Sequence, residues 1–243
     1  ARHGQATFLE EDYDRLSLLG ETQARLLGEY WSRHGVTFDA VFTGPRVRQI
    51  RTAEIAAEAY ADTSRESRTG STSIISFPAA EVLDELDEYD MSSVMSKLLP
   101  VLIESDPTAR TLSEEYERSR GTAGERKRFQ FLFEVVMRAW IGGRIQPAGV
   151  ESWHHFVLRV QRGIRKMLEG EGSGRRVVAF TSGGPVSVAM QMALGVSDQK
   201  TLELNWQIRN ASLTEFMFSR NRFTLDTFNA LPHLQGRETW SYR

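Results

Sequence analysis

No cysteine occurs among the 243 residues of this chain, which excludes disulfides, thiolate catalysis and cysteine-ligated zinc. Lysine is scarce: four of the 30 basic residues are lysine and 26 are arginine. A lone arginine beside a candidate site is therefore weak evidence for anion binding here. No apolar run approaches the ~18 residues that would span a membrane, and no secretory signal is visible. Neither charge dominates, the formal net charge being −2. That balance points to no nucleic-acid footprint and no membrane-binding patch. Repeats and low-complexity tracts are absent too. What remains is 40% hydrophobic and 26% charged, enough for one large domain or two small ones. The expectation is a soluble, cytoplasmic protein with neither a nucleic-acid nor a membrane partner.

The order of patterns along the chain is α/β grammar. "SLLGETQARLLGEYWSRHG" at 17–35 predicts an amphipathic helix through Leu19, Ala24, Leu27 and Trp31, stopped at Gly35. "FDAVFTG" at 38–44 predicts a short buried strand ending in a Gly-Pro turn. Residues 47–61 return to helix. "ADTSRESRTGSTS" reads as polar loop, and "VLDELDEYDMSSVMSKLLPVLIE" passes into helix. The stretch at about 81–150 reads as a mostly helical insertion within a single domain covering 1–243. Alternation resumes with a helix over 151–169, a buried strand in "RRVVAFT" and a glycine turn into the helix of "GGPVSVAMQMALG". "SLTEFMFS" and "RFTLDTF" predict a closing antiparallel pair.

Chemistry centres on "ARHGQATF" at the start. A histidine can attack phosphorus through one ring nitrogen while a hydrogen bond to the other fixes its tautomer. An adjacent guanidinium can clamp phosphoryl oxygens, and a glycine lets the backbone approach them. The tripeptide alone is cheap, because Arg33-His34-Gly35 repeats it at a helix end, where it merely suits the dipole. A reactive tripeptide also needs a rigid element before it, yet only Ala1 precedes Arg2; either a leading strand has been trimmed or the numbering starts late. Arg48 lies one turn into the helix after the 38–44 strand, a natural anion position. Arg46 and Arg51 read as a basic helix face.

Taken in order, "RHGQA", "LSLLGETQARLLG" and "GPRVRQIRTAEIAAEA" resemble the histidine phosphatase superfamily, the phosphoglycerate-mutase-like proteins. The resemblance runs over essentially the whole chain. It implies a three-layer α/β sandwich: a mainly parallel sheet, helices on both faces and a helical insertion over the active-site edge. It implies His3 as nucleophile, with Arg2 and Arg48 binding phosphate. The family's acid follows a Leu-x-Glu pattern that falls on Leu83-Asp84-Glu85, so Glu85 is the expected proton donor, with a pKa raised by neighbouring carboxylates. The glycine that usually follows is missing, and Glu88 stays an alternative.

The family also implies a second histidine before Gly-Gly. In "VVAFTSGGPVS" that position is Ser182, with Gly183 opening the helix. Backbone amides from Gly183 onward form part of an anion cradle, and Ser182 supplies one neutral hydrogen bond. A neutral donor is worth roughly half a charge-assisted one. Losing such a donor typically costs ~2.7–4 kcal/mol in the transition state. His154 and His155 read as a solvated pair, and His233 as ordering the C-terminal segment. Glu151 and Ser152 read as helix caps, and Asn210 as a turn residue that could also line the pocket.

The function expected is hydrolysis of a small-molecule phosphate monoester through a phosphohistidine, with no metal and no cofactor. The alternatives are phosphoglycerate-mutase-type transfer, a phosphate- or phosphopeptide-binding pseudo-enzyme weakened at Ser182, and an α/β scaffold with no phosphate site.

Overall fold

The computed structural model describes residues 1–7, 14–66, 76–170 and 174–242. Among these the elements run α1 (Leu18–Arg33), β1 (Ala40–Thr43), α2 (Val47–Glu66), β2 (Ala80–Val82), α3 (Met91–Ser105), α4 (Pro107–Ser119), α5 (Glu125–Gly142), α6 (Trp153–Leu168), β3 (Val177–Phe180), α7 (Gly183–Leu194), α8 (Asp198–Asn205), β4 (Leu213–Ser219) and β5 (Arg222–Ala230).

Strands β2, β1 and β3 form a parallel sheet in that order. Successive side chains on a strand point to opposite faces, and the core obeys that period. Val41, Val178 and Phe180 join Leu27 and Trp31 of α1 and Ala53, Ala56 and Tyr60 of α2. Phe42 meets Leu83 and Leu86 on the other face, with Ala40, Val177, Ala179 and Met167 of α6 packed around them. The α/β class expected from the sequence is therefore the one observed: a parallel three-stranded sheet flanked by helices. Helices α1 and α2 meet without a side chain between them at Gly28, where a Cβ would lie 2.0 Å from the Ala56 carbonyl oxygen.

The first three residues extend this sheet beyond β3. Arg2 bridges Thr181 in parallel, the His3 amide donates to the Thr181 carbonyl at 2.8 Å, and the Thr181 amide donates to the Ala1 carbonyl at 3.0 Å. On the other side the Arg2 amide donates to Ser212 and the Ala211 amide to the His3 carbonyl, both at 3.0 Å. Ala211 takes a left-handed backbone, with φ of 56°. Strands β4 and β5 pair antiparallel, as the sequence predicts.

Tyr89–Leu158 form a second compact unit, separate from the sheet unit of Ala1–Glu88 and Arg159–Arg243. It holds α3, α4 and α5 with the start of α6. Asp106 caps α4 by accepting from Thr108 and Ala109, with Pro107 just inside the helix. Tyr89, Trp140, Trp153 and Phe156 pack together in its interior in edge-on and tilted pairs, and the Trp140 indole N–H donates to the Glu151 carbonyl. The Ser152 hydroxyl accepts from the His155 amide, so Ser152 caps α6 as its sequence suggests. His154 and His155 are both exposed.

Three local differences have physical causes. Helix α2 runs to Glu66 rather than ending near 61, because Thr63 is buried on its core face; the rest of the polar stretch, from 67, lies outside the described residues. Strand β2 has three exposed residues and so offers no apolar pattern to read. "VLDELDEYD" does not enter a helix directly. It makes a single 3-10 turn at Asp84–Leu86, and α3 starts only at Met91, capped by Asp90.

Candidate active site

The carboxyl ends of β1 and β3, and the residues paired with β3, hold the chemistry-bearing side chains. This is where ligands bind in open parallel sheets. His3 is 5% exposed. Its Nδ1 lies 2.7 Å from the Gly4 carbonyl oxygen, which can only accept, so Nδ1 carries the proton. The lone pair of the neutral ring is then on Nε2. Arg48 Nε–H donates to that nitrogen at 3.2 Å.

Arg48 is held from two further sides. Its Nη1 donates to Asp14 Oδ1 at 2.6 Å, and Asp14 Oδ2 accepts from the Val47 amide at 2.9 Å. The Thr52 hydroxyl donates to the Arg48 carbonyl and accepts from the Gly4 amide, tying the RHG backbone to α2. Gly4 is required by packing: a Cβ would lie 2.4 Å from the Gly20 carbonyl oxygen of α1. The sequence suggests that this glycine admits phosphate; the contact the structure shows is backbone against backbone.

Arg2 is buried, and its guanidinium donates through Nη1 to the Ile208 carbonyl. Ser182 precedes α7, is 1% exposed and makes no capping bond with its side chain. Its hydroxyl oxygen instead accepts from Gln49 Nε2 at 2.8 Å. Gln49 Oε1 takes the Arg46 amide, which fixes the side-chain amide's orientation. With Gln49 donating, the Ser182 proton points elsewhere. A Cβ on Gly183 would meet Asn205 Oδ1 at 2.3 Å, so this glycine too serves close packing.

The two acidic candidates part company. Glu85 pairs with Lys166 of α6, and that hydrogen bond holds its carboxyl below the usual carboxylate range. The raised pKa expected of Glu85 is thus not what the structure gives. Glu88 is buried, and its Oε2 accepts from the Gly184 amide at 3.0 Å, at the same helix start as Ser182. An anion is stabilised there by the Gly184 amide and the helix dipole. The neighbouring Asp87 carboxylate pairs with Arg46. Arg159 Nη1 holds the turn by donating to the carbonyls of Asp84, Glu85 and Asp87. A signal for Glu88 was available, since Leu-x-Glu occurs twice in succession, at Leu83-Asp84-Glu85 and at Leu86-Asp87-Glu88.

The remaining candidates lie outside this group. Arg51 is exposed and pairs with Glu54 one turn away, as expected of a helix face. Asn210 is buried and bonded to Ser241, its amide to the carbonyl and its Oδ1 to the hydroxyl. His233 is buried, with no hydrogen bond from either ring nitrogen to a described residue, and desolvation lowers its pKa to about 4. Sequence reasoning missed Asp14, Gln49 and Thr52, which touch the candidate residues without carrying a recognisable motif. Among the described residues no group of three histidine, aspartate or glutamate side chains gathers as a metal site, and no helix is long and apolar enough to cross a membrane.

Comparison with known proteins follows the same lines. No curated protein sequence matches the chain. Among solved structures it resembles a mycobacterial glucosyl-3-phosphoglycerate phosphatase in complex with inorganic phosphate, at 20% identity and a TM-score of 0.60, covering 96% of each chain. It also resembles mycobacterial hydrolase 2, at 18% identity and a TM-score of 0.60, covering 98% of this chain and 92% of that one. Phosphoglycerate mutase from Bacillus anthracis is similar at 16% identity and a TM-score of 0.58, covering 96% and 92%. At these identities the likeness is one of fold. The family profile of the histidine phosphatase superfamily, branch 1, matches residues 1–69 and 106–231, and this chain belongs to that superfamily.

Proposed function

We propose that the protein hydrolyses a phosphate monoester through a phosphohistidine on His3. One observation carries this reading: Nδ1–H is spent on the Gly4 carbonyl, so the Nε2 lone pair faces the Arg48 guanidinium inside a buried site. The phosphoryl group of a substrate placed there meets a nucleophile of fixed tautomer and a cation already in position. Nε2 attacks phosphorus, the P–O ester bond breaks and the leaving oxygen takes a proton. Water then attacks the phosphohistidine, gives up a proton, and releases inorganic phosphate and the free imidazole.

For the proton donor we favour Glu88 over Glu85. Glu85 is kept ionised by its pairing with Lys166, whereas Glu88 shares the start of α7 with Ser182. A phosphoryl oxygen arriving there competes with Glu88 for the Gly184 amide. Ser182, standing where the family resemblance puts a second histidine, donates a neutral hydrogen bond to the phosphoryl group. Arg2 completes the anion site from the neighbouring residue.

The test is acid-labile labelling with a generic phosphate ester. Label is expected on His3, and it disappears in His3→Ala. Turnover at the wild-type rate in His3→Ala would remove the assignment. Product analysis with a phosphoglycerate separates hydrolysis from mutase-type transfer, and phosphate binding without turnover would show a binding-only protein.

A further inference from the structure

We infer that Asp14 is a positioning residue for the phosphate clamp, fixing the Arg48 guanidinium with one edge toward His3. The inference rests on the reading of His3 and Arg48 as the phosphoryl site. Asp14 bridges two groups: Oδ1 takes Arg48 Nη1 at 2.6 Å and Oδ2 takes the Val47 amide at 2.9 Å. The Val47 amide opens α2, the helix that also carries Arg48. A single carboxylate thus ties the guanidinium to the start of its own helix.

The choice of nitrogen matters. A guanidinium is a rigid plane, with Nε–H and Nη2 along one edge and Nη1 on the Cδ side. Asp14 uses Nη1, and Nε–H is directed at His3 Nε2. The carboxylate therefore holds the plane without covering the edge that meets the phosphoryl group. Arginine has a long, rotamer-rich stem, and a clamp that is immobilised before substrate arrives loses less entropy on binding. The carboxylate's charge opposes this gain, because it partly offsets the attraction of Arg48 for phosphate. Bracing and charge offset predict opposite signs for removal of the carboxylate, so the sign is decisive. Arg48 is 7% exposed at its side chain and Asp14 30%, so the pair is shielded on the arginine side. Burial of Arg48 weakens screening and so does not remove the charge offset; bracing is inferred to outweigh it.

The experiment is a double-mutant cycle read by inorganic phosphate binding and by steady-state kinetics on an alkyl phosphate. Asparagine can keep the acceptor for the Val47 amide, but it offers an amide nitrogen to the guanidinium. Asp14→Asn is expected to weaken phosphate binding about tenfold and to lower kcat more than it raises KM. In an Arg48→Ala background the same substitution should have no further effect on phosphate binding. Should the asparagine variant unfold, Asp14→Ala gives the same reading, since it removes the contact with the guanidinium and its loss should likewise vanish in the Arg48→Ala background. Tighter phosphate binding in Asp14→Asn, or an equal loss with and without Arg48, would overturn the inference. Phosphate binding is measured without turnover, so absence of a phosphohistidine would defeat the proposed reaction and leave this cycle readable.

Discussion

The same three residues occur twice in this chain, as Arg2-His3-Gly4 and as Arg33-His34-Gly35. The two histidines even make the same bond, each with Nδ1 within 2.8 Å of a backbone carbonyl oxygen, that of Gly4 or of Tyr30. Their surroundings differ completely. His3 is enclosed between Thr181 and Ala211 and presents Nε2 to an arginine. His34 is exposed at the end of α1 and leans on the Tyr30 ring, with centroids 4.3 Å apart. Gly4 is pressed against another backbone, while Gly35 has φ of +62° and open space around it. A fixed tautomer thus does not distinguish the two histidines. What sets His3 apart is burial and an arginine on its other ring nitrogen, and neither is local in sequence.

The strongest way to break that comparison is to remove each histidine in turn. His3→Ala should lower turnover by roughly 10⁴-fold or more, and His34→Ala should leave it within a factor of two. Equal losses in steady-state assays would show that the enclosed tripeptide has no special role.

The carboxylates repeat the comparison on a smaller scale, with one motif in two settings three residues apart. Glu88→Gln should slow hydrolysis of alkyl phosphates by roughly 10²-fold or more. Nitrophenyl phosphate, whose leaving group needs no proton, should lose far less. Glu85→Gln should show no such difference between substrates, because it loses only a salt bridge to Lys166 at the protein surface. The reverse pattern would return the acid to Glu85.

The glycines sharpen the same contrast through stability. Gly4→Ala forces a Cβ to 2.4 Å from the Gly20 carbonyl oxygen and should cost about 3 kcal/mol, read from denaturant unfolding. Gly35→Ala meets no atom and suffers only from its left-handed backbone, a cost of about 1 kcal/mol. Similar costs at the two sites would mean that the close approach at Gly4 is easily relieved.

His233 supplies a third setting: enclosed like His3, but with no hydrogen bond to a described residue. Burial pushes its pKa down to about 4, from an ordinary value near 6.5. The neutral form is the one the fold accepts. Its contribution is therefore present above pH ~6.5 and is lost as the pH falls toward 4, when the unfolded chain takes up the proton first. His233→Leu should flatten this acid limb in unfolding curves between pH 6.5 and 4, leaving stability near pH 8 little changed. An unaltered limb would assign it to other groups.

Much of the fold was legible in the sequence because the signals are local. Helices α1, α2, α6 and α7 have apolar periodicity or glycine stops, and β1 and β3 are short apolar runs bounded by turns. Strand β2 was not legible, since it is exposed and its position is set by pairing with β1. At the candidate site, His3, Arg48 and Ser182 could be singled out by type and order. Asp14, Gln49 and Thr52 could not, because polar residues that hold other polar residues leave no periodic trace. By itself the sequence determined the α/β class, the absence of thiol chemistry and a short set of groups able to handle phosphate. The tertiary structure alone decided which of two identical tripeptides is enclosed, which of two neighbouring glutamates meets the start of α7 and which carboxylate grips Arg48. The reason is physical: residue type fixes what a side chain can donate or accept, but partners far apart in sequence fix where its lone pairs and protons point.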